Sequence, residues 1–442
     1  MYQGRDAKGA NKYIRRKDMN NMPLLWEYTQ HLRKHEDIVL LHINHDVDNS
    51  YRFNEFLETV FDKVFFIPVS YDEDSEHKTR GSFQEHIEEQ IERVLSEAVI
   101  PAVENGKKLV VIEDGGYFLP VYVRAVRKYP SLEGNILGVV EQTTSGTRRT
   151  LSHSINNALG FPCASVARSK VKMNLESIFI GQRVVEELSL FLYSANTFLN
   201  FGNVLIVGYG IVGRSVYKSL GSYSCDISVY DSDETIRKTA ETDKCHVYSE
   251  IGAKMFKRDT ILIGCVGSSI FSEKMLRAFM DGDAENLYLA SASSKNYEFI
   301  LLIEMARGEK SVGGITLTVK EKREYYTLYE LEENGRRKQV FLFAEGMPIN
   351  FFRRNVISLT DRMIDLVFLE MLMLAEIMCT HFLADGMYLL GESEEFKTFI
   401  NEDELLKRWF SINGFSFGDS LEETLGSHPD TDYLRNPIPC EQ

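Results

Sequence analysis

The first third of the chain alternates short apolar runs with segments in which apolar residues recur at helical spacing. The apolar runs predict strands at Ile38–Ile43, Lys63–Val69, Lys108–Ile112 and Asn135–Val140. Between the second and third of them, Phe83–Ile100 has the spacing of an amphipathic helix. Strands that alternate with helices are typical of a parallel sheet covered by helices. The pattern therefore predicts an α/β domain here.

A second unit of the same kind begins after a long amphipathic helix, predicted over Ile180–Leu199. The strand Gly202–Val207 follows, and it leads into three glycines in the pattern GxGxxG, at Gly208, Gly210 and Gly213. The next strand, Cys225–Tyr230, ends at Asp231. In dinucleotide-binding folds the first glycine allows a tight turn, the second lets the pyrophosphate approach and the third lets the helix contact the strand. The acid then binds the ribose hydroxyls.

This arrangement predicts a bound dinucleotide, and it favours NAD over NADP. The carboxylate of Asp231 would repel a 2′-phosphate, and its neighbours Ser232 and Asp233 offer no arginine to reverse that preference. The alternative is a βαβ unit in which the glycines serve only the turn. Further strands are predicted at Thr260–Val266, Asn286–Ala290, Ile315–Val319, Tyr325–Leu331 and Gln339–Phe343, followed by helical segments at Asn355–Ala384 and Asp403–Trp409.

Composition narrows the range of partners. The 442 residues include 65 acidic and 50 basic side chains, a net charge of −15, which disfavours nucleic acid and anionic membrane surfaces. Acidic residues interrupt the most apolar segment, Met363–Ala384, so it is predicted to be a buried helix and not a membrane span. No secretory signal opens the sequence, and the cysteines are scattered singly. We therefore expect a cytoplasmic protein without a structural metal site.

Several short motifs occur in the order in which one enzyme family has them. They are Asn21-Met22-Pro23-Leu24, Glu113-Asp114-Gly115-Gly116, Glu141-Gln142-Thr143-Thr144-Ser145-Gly146, the glycine pattern at 208–213, Asn334-Gly335-Arg336-Arg337, and Ala344-Glu345-Gly346 with Asn350. With them, most of the chain resembles the S-adenosylhomocysteine hydrolase family. The resemblance implies two doubly wound Rossmann-like α/β domains. The first part of a substrate-type domain is expected at 1–185 and an NAD-binding domain at 186–350. Helices at 351–405 are expected to return to the substrate-type domain, followed by a C-terminal tail at 406–442.

In that family a tightly bound NAD oxidises the 3′-hydroxyl of the nucleoside, which makes the 4′-hydrogen acidic. A base removes the 4′-proton, the 5′-thiol leaves, water adds, and the hydride returns. The resemblance implies that Asp114 and Lys172 are catalytic, and that Glu176 lies four residues beyond the lysine to hold it. The alternatives are that Asp114 only caps a turn and that Lys172 and Glu176 form a solvated ion pair on the surface.

The resemblance also implies cofactor contacts. Thr143, Thr144 and Ser145 match a hydroxyl run that contacts NAD, although such a run is also typical of a helix cap. Asn350 matches an asparagine that binds the nicotinamide carboxamide, where the alternative is a turn residue. Tyr433 lies in a segment similar to the arm that reaches the NAD of a neighbouring subunit. We therefore expect a homo-oligomer, a dimer or a tetramer.

The departures from the family fall around the substrate. Gln142 replaces a glutamate that binds the ribose hydroxyls in the family. The segment that corresponds to the family's adenosine-binding segment keeps His42 but lacks the threonine–glutamate–threonine set. Asn44 lies in this segment, and Asp46 is a shorter possible substitute for the glutamate. The family has a histidine near the leaving thiol in the segment that corresponds to Ser291–Lys295, and this chain has no histidine in that segment. His42 is the remaining candidate for acid–base catalysis near the 5′ side, although a lone histidine beside a strand is more often a core residue.

Three hypotheses follow. The favoured one is NAD-dependent oxidation of the 3′-hydroxyl of a nucleoside or nucleoside thioether, with Lys172 and Asp114 handling protons. The second is a catalytically inactive NAD-binding protein that acts through an interaction surface. The third is true hydrolysis of S-adenosylhomocysteine with rearranged residues. Reduction of bound NAD by nucleosides separates the first from the second, and release of homocysteine identifies the third.

Overall fold

The computed structural model describes residues 21–70, 83–154, 159–293, 298–352 and 358–418. The chain divides into two compact units, with the boundaries at Glu176/Ser177 and Ser358/Leu359. The first unit therefore contains the N-terminal part of the chain and a return segment that begins at Leu359. The second unit is the part between the two boundaries.

The first unit is built on a six-stranded sheet in which every neighbouring pair of strands is parallel, in the order β2-β1-β3-β4-β5-β14. With strands numbered along the whole chain, these are β1 (His35–His45), β2 (Phe61–Val69), β3 (Lys108–Glu113), β4 (Ile136–Glu141), β5 (Pro162–Ser165) and β14 (Gly386–Leu389). The last eight residues of β1 are buried without interruption, as expected of a central strand that is covered on both faces.

The covering helices of this unit are α1 (Pro23–Thr29), α2 (Asp48–Val60), α3 (Phe83–Val94), α4 (Ile100–Glu104), α5 (Phe118–Lys128), α6 (Thr144–His153), α12 (Asp361–Thr380), α13 (Glu394–Lys397) and α14 (Glu402–Ile412), with π-helical turns at Leu95–Val99 and Val171–Glu176 and a 3₁₀ turn at Pro130–Leu132. Helix α12 is the predicted buried helix, and most of its side chains are buried. Its Asp365 carboxylate accepts the N–H groups of Leu24 and Leu25 at 2.9 Å each. The backbone at Leu24, the last residue of the Asn21–Leu24 motif, and at Leu25 therefore attaches α1 to α12.

The second unit contains an eight-stranded sheet in the order β8-β7-β6-β9-β10-β13-β12-β11. Its strands are β6 (Asn203–Val207), β7 (Asp226–Tyr230), β8 (His246–Tyr248), β9 (Thr260–Gly264), β10 (Asn286–Ser291), β11 (Thr316–Lys322), β12 (Tyr326–Glu333) and β13 (Arg336–Phe343). The pairs from β8 to β13 are parallel, and β12 and β11 extend the sheet antiparallel.

The helices of the second unit are α7 (Ser177–Ser194), α8 (Ile211–Leu220), α9 (Glu234–Thr242), α10 (Glu273–Asp281) and α11 (Ile300–Arg307), with 3₁₀ turns at Ala253–Phe256 and Ala344–Gly346. Helix α7 ends before the predicted Leu199, because the chain turns at Asn196 with a φ of 55°. Within the described ranges, no helix combines the length and the apolar character needed to cross a membrane.

Both sheets have the strand orders of doubly wound folds, so the predicted fold class is confirmed. In such sheets a ligand binds beyond the carboxyl ends of the strands, where the strand order reverses. That reversal lies between β1 and β3 in the first unit and between β6 and β9 in the second.

Candidate functional site

The glycine turn after β6 lies at the reversal point of the second unit. Gly208 has a φ of +94°, and a Cβ on Gly213 would lie 1.9 Å from the Gly208 carbonyl oxygen. The fold itself therefore requires glycine at both positions. Gly210, which precedes α8, has a φ of −70°, a value that any residue adopts. The φ of Gly210 thus gives no reason for glycine at this position, whereas close approach of a ligand to the turn would.

Asp231, directly after β7, connects to the glycine turn. Its Oδ2 accepts the N–H of Tyr209 at 2.8 Å, and its Oδ1 accepts the N–H of Asp233 at 2.9 Å. Each carboxylate oxygen retains acceptor capacity for a further donor such as a ribose hydroxyl. Arg237 was not predicted from the sequence; its guanidinium folds back from α9 and donates to the carbonyls of Asp231 at 2.8 Å and Ser232 at 2.9 Å.

Asn350 lies beyond β13 in the same unit and is almost fully buried. Its Nδ2 donates to the hydroxyl of Ser358 at 3.2 Å, while its Oδ1 has no hydrogen-bond partner among the described residues. The N–H of Ile349 donates to the carbonyl of Ser291 at 3.1 Å, so this segment is joined to the end of β10. A buried acceptor without a donor is costly unless a ligand supplies one.

Glu298 is a buried carboxylate at this edge that the sequence argument did not identify. Its Oε1 accepts the N–H groups of Val266 at 2.7 Å and Gly267 at 3.1 Å, and its Oε2 accepts the hydroxyl of Ser291 at 2.7 Å. Burial raises the pKa of Glu298, against the effect of these donors. The carboxylate therefore fixes the loop after β9 to the end of β10.

At the reversal point of the first unit, the ends of β1 and β3 bring an imidazole and a carboxylate together. His45 Nε2 lies 3.2 Å from Asp114 Oδ2, and both side chains are buried. Asn44 Oδ1 accepts the N–H of His45 at 2.8 Å, and its Nδ2 donates to Gln142 Oε1 at 3.2 Å. The structure thus places the predicted Asp114 and Asn44 beside His45, with Gln142 hydrogen-bonded to Asn44, and His45 itself was not predicted from the sequence.

A second buried carboxylate explains why the two glycine-containing motifs of the first unit pack together. Glu141 Oε1 accepts from the N–H of Gly115 at 3.1 Å and from the N–H and hydroxyl of Thr143 at 2.7 Å each, and its Oε2 accepts from Gly116 at 2.8 Å. A Cβ on Gly146 would lie 2.1 Å from Glu141 Oε1. Burial, followed by the nearby charge of Asp114, raises the pKa of Glu141.

The predicted hydroxyl run lies at the start of α6. Thr143 is the N-cap residue, and its hydroxyl accepts the N–H of Gly146 at 3.0 Å while donating to Glu141. Ser145 Oγ donates to Thr143 Oγ1 at 3.4 Å, and Thr144 is the first residue of the helix. The Thr143 hydroxyl therefore has a structural role at this N-terminus.

Lys172 and Glu176 are in contact, with Nζ and Oε2 2.7 Å apart. Both lie in the π-helical turn Val171–Glu176, a geometry that often occurs at functional sites. Their side chains are only 13% and 4% exposed, so the pair is not a solvated surface contact. Glu370 of α12 is fully buried nearby, and burial, with Glu402 as the next cause, raises its pKa well above the usual range.

Two predicted residues lie in other surroundings. His42 is fully buried between the rings of Phe53 and Phe66, its Nδ1 is 3.2 Å from Asn54 Oδ1, and burial lowers its pKa to about 4. Asp46 is exposed and accepts the hydroxyl of Tyr51 at 2.9 Å. Tyr433 lies outside the described residues.

No group of histidine, cysteine, aspartate and glutamate side chains suited to a metal ion occurs in the part of the chain that the structure describes. The buried carboxylates of Glu141 and Glu298 accept hydrogen bonds from backbone N–H groups or hydroxyls.

The class that this geometry defines is a two-unit α/β protein with a dinucleotide-type glycine turn. No protein-family model matches the chain. In sequence it is similar to the adenosylhomocysteinase of Thermotoga maritima, 27% identical over 242 residues, which are 54% of each chain. It is also similar to the S-inosyl-L-homocysteine hydrolase of Methanothermobacter thermautotrophicus, 24% identical over 275 residues, which are 61% of this chain and 58% of the relative.

A third relative, the S-inosyl-L-homocysteine hydrolase of Methanopyrus kandleri, is 25% identical over 155 residues, 35% of this chain and 33% of its own. The matched regions thus span between a third and about three fifths of the length of these relatives. A solved 2-hydroxyacid dehydrogenase from Ketogulonicigenium vulgare Y25 covers 62% of this chain and 78% of its own at 12% identity, with a TM-score of 0.36 that is too low to inform on function.

Proposed function

We propose that the protein binds NAD and oxidises the 3′-hydroxyl of a purine nucleoside or purine nucleoside thioether, followed by 4′,5′-elimination and hydration when a 5′-thioether is present. The observation that carries the proposal is the glycine turn at the reversal point of the sheet, where the fold requires Gly208 and Gly213 but the φ of Gly210 does not require glycine. The relatives are named for an adenosyl and an inosyl substrate, which supports a purine without deciding between the two bases.

In the second unit, three features fit the cofactor. The N-terminus of α8, directly after the glycine turn, suits the pyrophosphate, since free N–H groups and the helix dipole both attract anions. The acceptors of Asp231 suit ribose hydroxyls, and the buried Oδ1 of Asn350 suits the amide N–H of the nicotinamide. When bound, NAD supplies the hydride acceptor for the oxidation of the alcohol.

In the first unit, the buried pair Lys172–Glu176 is the proposed proton acceptor for the 3′-hydroxyl. A carboxylate 2.7 Å from Nζ fixes the position of the amine in a site with little water. Asp114 takes part in the next proton transfer, at the reversal point of the sheet. His42 has the surroundings of a core residue, and we give it no part in the reaction.

The proposal is tested on the purified full-length protein. Co-purifying nucleotide is identified by mass, and the absorbance of reduced nicotinamide is followed as adenosine, inosine or S-adenosylhomocysteine is added, with free homocysteine measured in parallel. Reduction with a nucleoside supports the proposal. NAD that binds but stays oxidised with all three points to the inactive NAD-binding protein. Homocysteine release shows that elimination and hydration also proceed on S-adenosylhomocysteine, and reduction without homocysteine release restricts the activity to oxidation of the 3′-hydroxyl.

Two variants separate the steps. Lys172→Ala is expected to abolish reduction while NAD remains bound. Gly210→Val is expected to eject the cofactor, because a side chain at this position would block the approach of the pyrophosphate to the turn, and circular dichroism checks that the variant is folded. Gly252→Ala, where an added Cβ meets nothing within 4 Å, is the matched control. Wild-type NAD affinity in Gly210→Val would contradict cofactor binding at this turn.

A further inference from the structure

We propose that His45 is the catalytic base that removes the proton from the carbon next to the oxidised carbon of the nucleoside, and that Asp114 is the positioning residue that holds it. This inference rests on the proposed function, because only oxidation of the 3′-hydroxyl makes the neighbouring hydrogen acidic. It assigns the proton transfer to a residue that neither the sequence pattern nor the resemblance indicated.

The two side chains are held in place by neighbouring central strands. His45 is the last residue of β1, Asp114 directly follows β3, and the two strands pair in parallel at the reversal point of the sheet. The N–H of Asp114 donates to the carbonyl of Ile43 at 2.9 Å, and the N–H of His45 donates to Asn44 Oδ1 at 2.8 Å. The 3.2 Å contact between Nε2 and Oδ2 therefore joins two fixed backbone segments.

The contact also decides which ring nitrogen is basic. Nε2 faces the carboxylate, so a proton on Nε2 is stabilised there, and Nδ1 is the nitrogen that accepts a proton. A carboxylate behind an imidazole fixes the tautomer and stabilises the imidazolium that forms. Asp114 serves the imidazole through Oδ2, which favours His45 over Asp114 as the group that receives the proton.

The chemistry balances with the proposed oxidation. Once the 3′-hydroxyl has been oxidised, the C4′–H bond is adjacent to a ketone. That bond breaks, its electron pair moves onto the ketone oxygen to give an enolate, and the proton goes to His45 Nδ1. The Asp114 side chain stabilises the imidazolium, and return of the proton to C4′ reverses the step.

The test is hydrogen exchange in D₂O. Loss of the 4′-hydrogen signal of adenosine or inosine is followed by NMR while NAD reduction is followed by absorbance. His45→Gln is expected to retain NAD binding and to slow exchange by about 10²–10⁴-fold, far more than it slows NAD reduction in the same sample. Asp114→Asn is expected to slow exchange by a smaller factor. His31→Gln, at an exposed position in the same unit, is the matched control and is expected to behave as the wild type.

A second variant guards against loss of folding. In His45→Ala, added imidazole is expected to restore exchange, which it could not do for a misfolded protein or a purely structural histidine. Wild-type exchange in His45→Gln would overturn the proposal, as would exchange that is lost in Asp114→Asn but not in His45→Gln.

The 3′-keto nucleoside is also supplied directly, so that exchange is measured even if the protein fails to reduce NAD. Failure of reduction with His45-dependent exchange of the ketone would refute the proposed function alone. Absence of exchange of the ketone in the wild type would refute the role of His45.

Discussion

The glycine turn allows a quantitative prediction for Gly213→Ala. The new Cβ would lie 1.9 Å from the carbonyl oxygen of Gly208 and 3.0 Å from its carbonyl carbon. Ordinary contact distances are roughly 3.5–4.0 Å between carbon atoms, so α8 and the turn must separate by more than about 1 Å. Both partners are backbone, and no side-chain rotation can relieve the overlap.

The expected loss of stability follows from two opposing effects. Overpacking costs about 1–3 kcal/mol, and a clash between backbones belongs at the upper end of that range. Alanine recovers about 1 kcal/mol relative to glycine within a helix. The net loss is therefore about 2 kcal/mol, which corresponds to amide hydrogen exchange about 30-fold faster in β6 and α8. We expect a parallel loss of NAD affinity of at least tenfold.

The assay is hydrogen exchange read by mass spectrometry on peptides from β6 and α8, because it reports on this segment separately from the first unit. The control, Gly252→Ala, has a φ of −170° and open space at its Cβ, so it should leave exchange unchanged or slower. Equal exchange rates and equal NAD affinities in the two variants would refute the packing argument.

Three further predictions concern buried groups, each measured by urea unfolding. Gly146→Ala places a Cβ 2.1 Å from Glu141 Oε1 and should cost about 2–3 kcal/mol, whereas Ser152→Ala on the same helix should cost under about 0.5. Because burial lowers the pKa of His42 to about 4, the stability due to its neutral ring is present above about pH 6.5 and lost as the pH falls toward 4. That loss is up to about 3 kcal/mol, and it should be absent in His42→Leu. Lys338→Met removes the Nζ donor 2.6 Å from the Phe279 carbonyl and should cost about 1–3 kcal/mol, unlike Lys310→Met at an exposed position.

The parts of the fold that could be predicted from the sequence are those that short segments determine. The buried strand before Gly208 and the helical spacing after it lie within a dozen residues, and the alternation of strands and helices predicts parallel sheets without knowledge of their order. Strands β5 and β14 were not predicted, because each has only four residues, which is too short for a distinct pattern. Their place in the sheet depends on pairing between distant segments.

In the candidate site too, contacts within a short segment could be predicted from the sequence, whereas contacts between distant segments could not. Lys172 and Glu176 are four residues apart, so their contact could be expected from helical spacing, although the turn that carries them is π-helical. The contact between His45 and Asp114 joins the ends of two strands that only the sheet makes adjacent. Arg237 was missed for a related reason, because the return of its side chain to the carbonyl of Asp231 depends on how α9 begins.

Each unit uses a buried carboxylate to fix the loops at the edge where its ligand is proposed to bind. Glu141 accepts N–H groups from the loop after β3 and from Thr143, and Glu298 accepts those of Val266 and Gly267 after β9. Burial raises the pKa of both acids, so the folded state binds their protons more tightly than the unfolded state does. Stability due to the protonated acids is therefore present below the unfolded pKa and lost as the pH rises through the folded one. The hydrogen bonds of Glu141 and Glu298 thus fix the loops of the proposed sites, and the burial of these acids makes the stability of the protein depend on pH.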